Sequence, residues 1–559
     1  MNLKKYAFLF LCILFPLLAS AQEEDDKWVE ESDIEDAELV IEKQKKLTLP
    51  RASRQFKKMT AVSRQGTSNE EVNYQLRMVN YNLQDIEPSI RVRKMQKEPL
   101  DKLYGNYIKG GIGNFLTPYL EGHFNSKRNE KYLYGLSLRH LSSRNGPVHK
   151  NNSGVGHSDI RAYGKYIFDY ASLGAQLGYE RRRVHFYGYD DAFVEGDIEA
   201  DSIRQNFNDF AISLMLEGTG GKRSPLSYKA STDVNLFSDT FHDLSELNID
   251  VNLSGRYDLN DESNVSFHLN PIINNNQYGS DKTNRGILKA GGAFHYLQEG
   301  LELKVGARLA YNLDSTTNLS RFGIYPDISV NYALKDVVSV FAKAEGDLRQ
   351  QSFRELTLEN PFLADTVTLR HTHNIADLAL GVQLTPMDKL GIRLQGGYGL
   401  YKNFHYFVND YGVDSSQFRL AFDTGTTGVF NFTGEVTVNF SNFRTMLKST
   451  FYSYNTQDFA EAIHRPTLEN NLLVTYNYRD KVFFNVDVFH VGGLQALNAN
   501  GTAFDLDDIV DVSFKVDYLF SDVVSVFLSA KNLTGQEYQR YYRYPVRGIN
   551  IMAGGTYAF

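Results

Sequence analysis

From Tyr104 to the C-terminus, apolar and polar residues alternate with period two in segment after segment, and a chain patterned in this way can only pair into sheet. The clearest case lies near the end. Val510, Val512, Phe514, Val516, Tyr518 and Phe520 share one face, while Asp511, Ser513, Lys515 and Asp517 share the other. Leu247, Ile249, Val251, Leu253 and Tyr257 alternate in the same way with Asn248, Asp250, Asn252, Ser254, Arg256 and Asp258. Tyr132, Tyr134, Leu136 and Leu138 do so against Gly135, Ser137 and Arg139. One face suits hydrocarbon and the other suits water.

Segmentation by this rule predicts about 22 strands, among them 104–114, 158–170, 173–188, 246–258, 301–312, 416–440, 508–520 and 547–559. Their connections form a sawtooth. Even-numbered strands are followed by short turns such as Arg128-Asn129-Glu130, Asn260-Asp261-Glu262, Arg479-Asp480 and Ser521-Asp522. Odd-numbered strands end in longer loops, for example Arg144 to His157, Tyr189 to Asn206, Gln350 to His373 and Leu494 to Asp507. Short turns on one rim and long loops on the other describe a transmembrane antiparallel β-barrel of the outer-membrane type, with periplasmic turns and extracellular loops. A soluble propeller or a string of sandwiches is the alternative. Against it stand the absence of a repeated blade signature, the uninterrupted short-long rhythm, and a final strand closed by an aromatic residue. In that strand Ile549, Ile551, Tyr557 and Phe559 form the expected barrel-terminal assembly signal. In lipid such a sheet must close, because an open edge leaves unpaired backbone groups.

Composition fits this reading. Charged residues make up 23% and hydrophobic residues 42%, so the mean hydropathy of -0.37 is an average over two unlike faces. The formal charge of -8 removes the basic footprint of a nucleic-acid binder. The sole cysteine, Cys12, lies in a leader-like segment, 1–21, with Lys4 and Lys5, an apolar stretch from Ala7 to Leu18, and Ala19-Ser20-Ala21 as a cleavage site. An exported chain cleaved there has no thiol for disulfides, catalysis or metal binding. Residues 22–103 read as a periplasmic arm, acidic from Glu23 to Glu42 and basic from Lys43 to Lys58, ahead of a barrel spanning 104–559.

Two stretches carry a family resemblance. Ser525 to Tyr538, with Asn532-Leu533-Thr534 and Glu537-Tyr538, followed by Tyr544-Pro545-Val546-Arg547-Gly548 and the last strand, resembles the C-terminal end of TonB-dependent receptors. Leu103 to Asn114 and Leu116-Thr117-Pro118 are similar to the opening of short, plug-poor receptor-like barrels of Bacteroidota. The resemblance implies a wide outer-membrane barrel, placed by the barrel-assembly machinery, that takes part in nutrient transport with its lumen occluded by the arm or by a lipoprotein partner. Such receptors carry a separate plug ahead of the barrel, and 22–103 is short for one. Glu38, Leu39, Val40 and Ile41 have the acid-then-aliphatic form of a TonB-coupling segment; an extended arm with no such role fits the same residues.

Chemistry is sparse. Gly110-Gly111-Ile112-Gly113 echoes a nucleotide loop, but no helix follows it. His371 and His373 share one face of an extended segment, yet no third ligand stands nearby in sequence. Asp190-Asp191 and Asp505, Asp507 and Asp508 are read as solvated loop acids. No paired nucleophile and base stands out, so neither an enzyme nor a cofactor is expected. Tyr541-Tyr542-Arg543-Tyr544, Phe404-His405-Tyr406-Phe407 and Phe186-Tyr187-Gly188-Tyr189 are expected at the headgroup level as an interfacial girdle. Two functions remain open: a receptor-like transport barrel, and a non-transporting subunit of an outer-membrane assembly, secretion or surface-protein export complex.

Overall fold

The computed structural model describes residues 104–127, 129–189, 198–218, 224–314, 321–364 and 367–559. The leader and the arm, including Glu38 to Ile41, lie outside the described residues, as do Asp190 and Asp191.

Twenty-two antiparallel strands form one closed sheet. Each pairs with its neighbour in the meander, and the first, Tyr107–Gly113, pairs with the last, Asn550–Ala558, from Tyr107↔Ala558 to Gly113↔Met552. Two backbone hydrogen bonds between Asn106 and Phe559, of 3.3 and 3.0 Å, extend the seam. Closure satisfies every ladder, the condition for a sheet in lipid. Small residues let the seam close: Gly110 faces Gly555 and Gly111 faces Gly554. The lumen-side ring of Phe527 lies over Gly111 and Gly554, so a Cβ on Gly111 would stand 2.9 Å from Phe527 Cζ.

The alternation separates the faces as expected. Ile108, Ile112, Val510 and Tyr518 are exposed on the outside, while Asp511 is buried and Lys515 pairs with Asp517 at 2.7 Å on the inside. Strand lengths run from 7 residues in the first strand to 18 in Asp281–Gln298. The sector from Ala171 to Gln298 therefore stands well beyond the roughly 9–11 residues that cross a bilayer.

The short turns are locally built. Asn260 Oδ1 accepts from Glu262 N at 3.0 Å and Ser263 N at 2.7 Å. Arg479 and Asp480 both have positive φ, 56° and 55°, the conformation of a two-residue hairpin turn whose twist matches the flanking strands.

One expected strand is two. The stretch 416–440 divides into Asp414–Phe422, which pairs with His405–Asp410 in a separate hairpin, and Thr426–Asn439, which belongs to the barrel. Buried Asp423 makes the break. Its carboxylate accepts from Thr427 Oγ1 at 2.7 Å and from the amides of Gln457 and Asp458 at 2.9 and 3.0 Å. Alternation continues through the break because both segments are genuine strands, and sequence periodicity cannot see a change of sheet.

Candidate functional site: the loop cap and the recess in the lumen wall

The long-loop rim carries a folded structure of its own. Ser352 caps the helix Phe353–Glu359 by accepting from Glu355 N at 3.2 Å, in a Ser-x-x-Glu start. The helix presents Leu356 to a cluster that also buries Leu363, Val367, Leu369, Phe407, Phe418, Tyr541 and Tyr544. These side chains come from three different inter-strand connections. Phe362 stacks on Tyr544 with ring centroids 3.6 Å apart and planes at 18°. Tyr541 donates to Glu359 O at 2.8 Å, Tyr187 to Pro545 O at 3.1 Å, and Tyr544 to Ser416 O.

The aromatic runs are thus not the girdle that the sequence suggests. Phe186, Tyr406, Phe407 and Tyr544 are buried, and most of them hold the loops to one another. They sit at strand ends, as a girdle would, but the chain beyond those ends folds back over them. The outer surface carries other rings, among them Tyr132, which stacks on Tyr134, and Tyr166, which packs on Phe168.

A charged cluster ties the cap together. Arg465 Nη1 donates to Glu359 Oε1 at 2.7 Å, and Arg465 Nη2 donates to His405 O at 3.0 Å. His405 Nε2 lies 3.1 Å from Glu359 Oε2. Burial pushes the Glu359 carboxyl up, but the His405 hydrogen bond and the Arg465 charge outweigh it and hold it at about 2. Next to this cluster, His464 donates Nδ1–H to Phe407 O at 2.7 Å and accepts Tyr542 N–H at Nε2 at 3.2 Å. Those two partners fix a neutral ring. Burial lowers it to about 4. Sequence reasoning passed over Glu359, His464 and Arg465 and took His405 only as part of an aromatic run, because no local motif marks them.

Inside the barrel, beside the seam, a recess of about 530 Å³ is lined by Lys109, Arg139, His157, Lys515, Lys531 and Arg547, with Thr117, Tyr119, Ser143 and Phe527 between them, and by no carboxylate. Arg139 is held by Asp159 at 2.9 Å and Lys515 by Asp517. Lys109 Nζ instead lies 4.5 Å from the Phe527 ring centroid, and Arg547 donates to Ser143 Oγ. Among the described residues, Lys109, Lys531 and Arg547 make no close ion pair, although Glu121 stands opposite Lys109 across the ladder. Cations free of a direct ion pair around one concavity suit an anion.

The other sequence-marked residues fall elsewhere. Buried His371 faces Arg285 Nη2 at 3.1 Å, so a guanidinium stands beside it, and His373 packs edge-on to Tyr325. Among the described residues no three His, Cys, Asp or Glu converge as metal ligands. Asp505 accepts from Gln495 Nε2 and Asp508 from Gly493 N, which ties down their own loop. Ile549, Ile551, Tyr557 and Phe559 lie exposed along one outward ridge at the seam.

No family model and no curated protein matches this chain. Solved structures do. The FrpB iron transporter from Neisseria meningitidis superposes with a TM-score of 0.65 at 11% identity, covering 82% of this chain and 82% of that one. The siderophore receptor PirA from Acinetobacter baumannii gives 0.62 at 11%, covering 81% and 80%. The ferric-catecholate import receptor Fiu from E. coli K12 gives 0.62 at 10%, covering 82% of both chains. At such identities the likeness is one of fold, and it establishes this chain as a 22-stranded barrel built like those receptors.

Proposed function

We propose that this protein is a receptor-like barrel of the outer membrane that admits a small anionic nutrient, such as an iron-bearing chelate, from the long-loop side. The observation that carries this reading is the carboxylate-free recess of Lys109, Lys531 and Arg547 in the lumen wall, set in a barrel built like those of iron transporters. Iron chelates that carry several carboxylate or catecholate oxygens are anionic, and a cationic wall raises their local concentration inside the lumen. On this reading the cap screens entry, and the arm 22–103 or a partner occludes the lumen. Glu38 to Ile41 then engage TonB, and the ridge ending at Phe559 is the signal read by the barrel-assembly machinery.

Planar-bilayer recording of the full chain and of a chain lacking 22–102 tests it. The full chain is expected to be closed, and the deletion is expected to open an anion-preferring conductance that Lys109→Gln with Arg547→Gln turns toward cations. If the barrel stays closed with and without the arm, transport through this lumen is wrong, and the scaffold reading takes its place.

A further inference from the structure

The outer surface of the barrel carries a charged site of its own. One ladder row crosses six successive strands with the outward residues Leu138, Ile160, Tyr179, Phe210, Leu236 and Leu247. Two residues further toward the long-loop rim, about 7 Å along each strand, the outward residues are His140, Ser158, Arg181, Asn208, Ser238 and Ser245. The first row is apolar throughout, the second polar throughout. A step of this kind on the outside of a closed barrel marks the edge of the hydrocarbon. Tyr179 straddles it, with its ring in the apolar row and its hydroxyl donating to Asn208 Oδ1 at 3.0 Å, the placement typical of an interfacial tyrosine.

Arg181 and Arg183 stand at that edge. Arg181 is exposed and donates to Asn206 Oδ1 at 3.1 Å. Arg183 sits beside Asn206 and lies against Gly156, where a Cβ would come within 3.6 Å of its guanidinium, and its Nε has no hydrogen-bond partner. Neither arginine has a carboxylate partner among the described residues, whereas nearby Arg204 is tied to Asp201 at 2.7 Å. The hydroxyls and amides of Ser158 and Asn208 flank Arg181 in the ladder row.

We propose that Arg181 and Arg183 form a binding site for the phosphate of an anionic lipid headgroup in the leaflet on the long-loop side, with the acyl chains lying along Ile160, Tyr179 and Phe210. Two cations with no carboxylate partner among the described residues suit a phosphate, and a zwitterionic headgroup would bring its own positive charge into the same place. The apolar row beneath specifies a lipid over a free anion, which would have no use for it.

The test is native mass spectrometry of the full chain released from nanodiscs that contain dioleoyl phosphatidic acid or dioleoyl phosphatidylcholine. The wild-type chain is expected to retain phosphatidic acid in preference. In the Arg181→Gln/Arg183→Gln variant that preference should fall roughly twenty-five-fold, about fivefold for each arginine at a bilayer surface, and lumen-facing Arg393→Gln should leave it unchanged. Asn208→Asp places a carboxylate beside Arg181 without removing either arginine, and should weaken retention if the double variant fails to fold. Equal retention of the two lipids by the wild-type chain, or a preference that survives both the double variant and Asn208→Asp, overturns the proposal.

Discussion

The two rims of this barrel close the same strands by opposite means. On the short-turn rim the partners are close by: Asn129 accepts from Lys131 N and Tyr132 N, and Asn260 does the same for Glu262 and Ser263. On the long-loop rim the partners are remote. Glu359 binds Tyr541 and Arg465, and Arg543 reaches Ser415, across spans of 182, 106 and 128 residues. One rim is a set of independent turns and the other is a small folded body with a buried aromatic core. The barrel itself is held by a closed ladder, so the cap should open as a unit while the sheet stays intact.

The sharpest way to separate the two is to empty the centre of the cap. Phe418 is fully buried and touches the rings of His464, Tyr541 and Tyr544. Phe418→Ala removes a core aromatic, at a cost of about 3–5 kcal/mol. The expected outcome is rapid proteolysis within 350–371 and 403–425, while the barrel keeps its heat-modifiable migration on gels. Simultaneous loss of both would mean that the cap and the sheet fold as one.

Acid should open the cap with a smaller effect. The buried His464 ring titrates near 4 in the folded cap and at 6.5 when exposed. Between those values the opened loops bind a proton that the folded cap excludes. Its stabilisation is therefore complete above about pH 6.5 and falls as the pH drops toward 4, by on the order of 3 kcal/mol. Glu359 follows in a lower window, from 4.5 down to about 2, with less effect because it is partly exposed and screened. Val413, at the tip of the cap hairpin, is 81% exposed. A spin label on Val413→Cys should gain mobility between pH 6.5 and 4, and His464→Phe should remove that step. A label that stays immobile to pH 4 would show that His464 does not govern opening.

The same contrast explains what could be read from the sequence. The barrel was legible because each strand writes its two environments into adjacent residues, so a window of ten suffices; the expected 301–312 coincides with Leu301–Asn312. The sawtooth came from the turns for the same reason. The cap was not legible, because Phe362 and Tyr544, or Glu359 and Arg465, meet only after the sheet has brought distant loops to one rim. The long predicted strand 416–440 failed at that boundary: Asp423 ends one sheet and starts another through contacts with Gln457 and Asp458. The recess has the same origin. Lys109, Lys531 and Arg547 become neighbours only because the last strand returns to the first.

The short-turn rim supplies the mildest test. Asn260 accepts three hydrogen bonds, from Glu262 N, Ser263 N and Ser263 Oγ at 2.8 Å. Asn260 and Glu262 are exposed and only Ser263 is buried, so water can replace much of what the Asn260 side chain provides. Asn260→Ala should therefore lower the free energy of barrel unfolding, read from urea titration, by no more than about 1 kcal/mol. It should leave proteolysis of 350–371 and 403–425 unchanged, because no contact links that turn to Phe418 or Glu359. If the cap loosens when Asn260 is removed, strain passes along the strands from rim to rim, and the cap is then a reporter of the whole sheet rather than a body with its own stability.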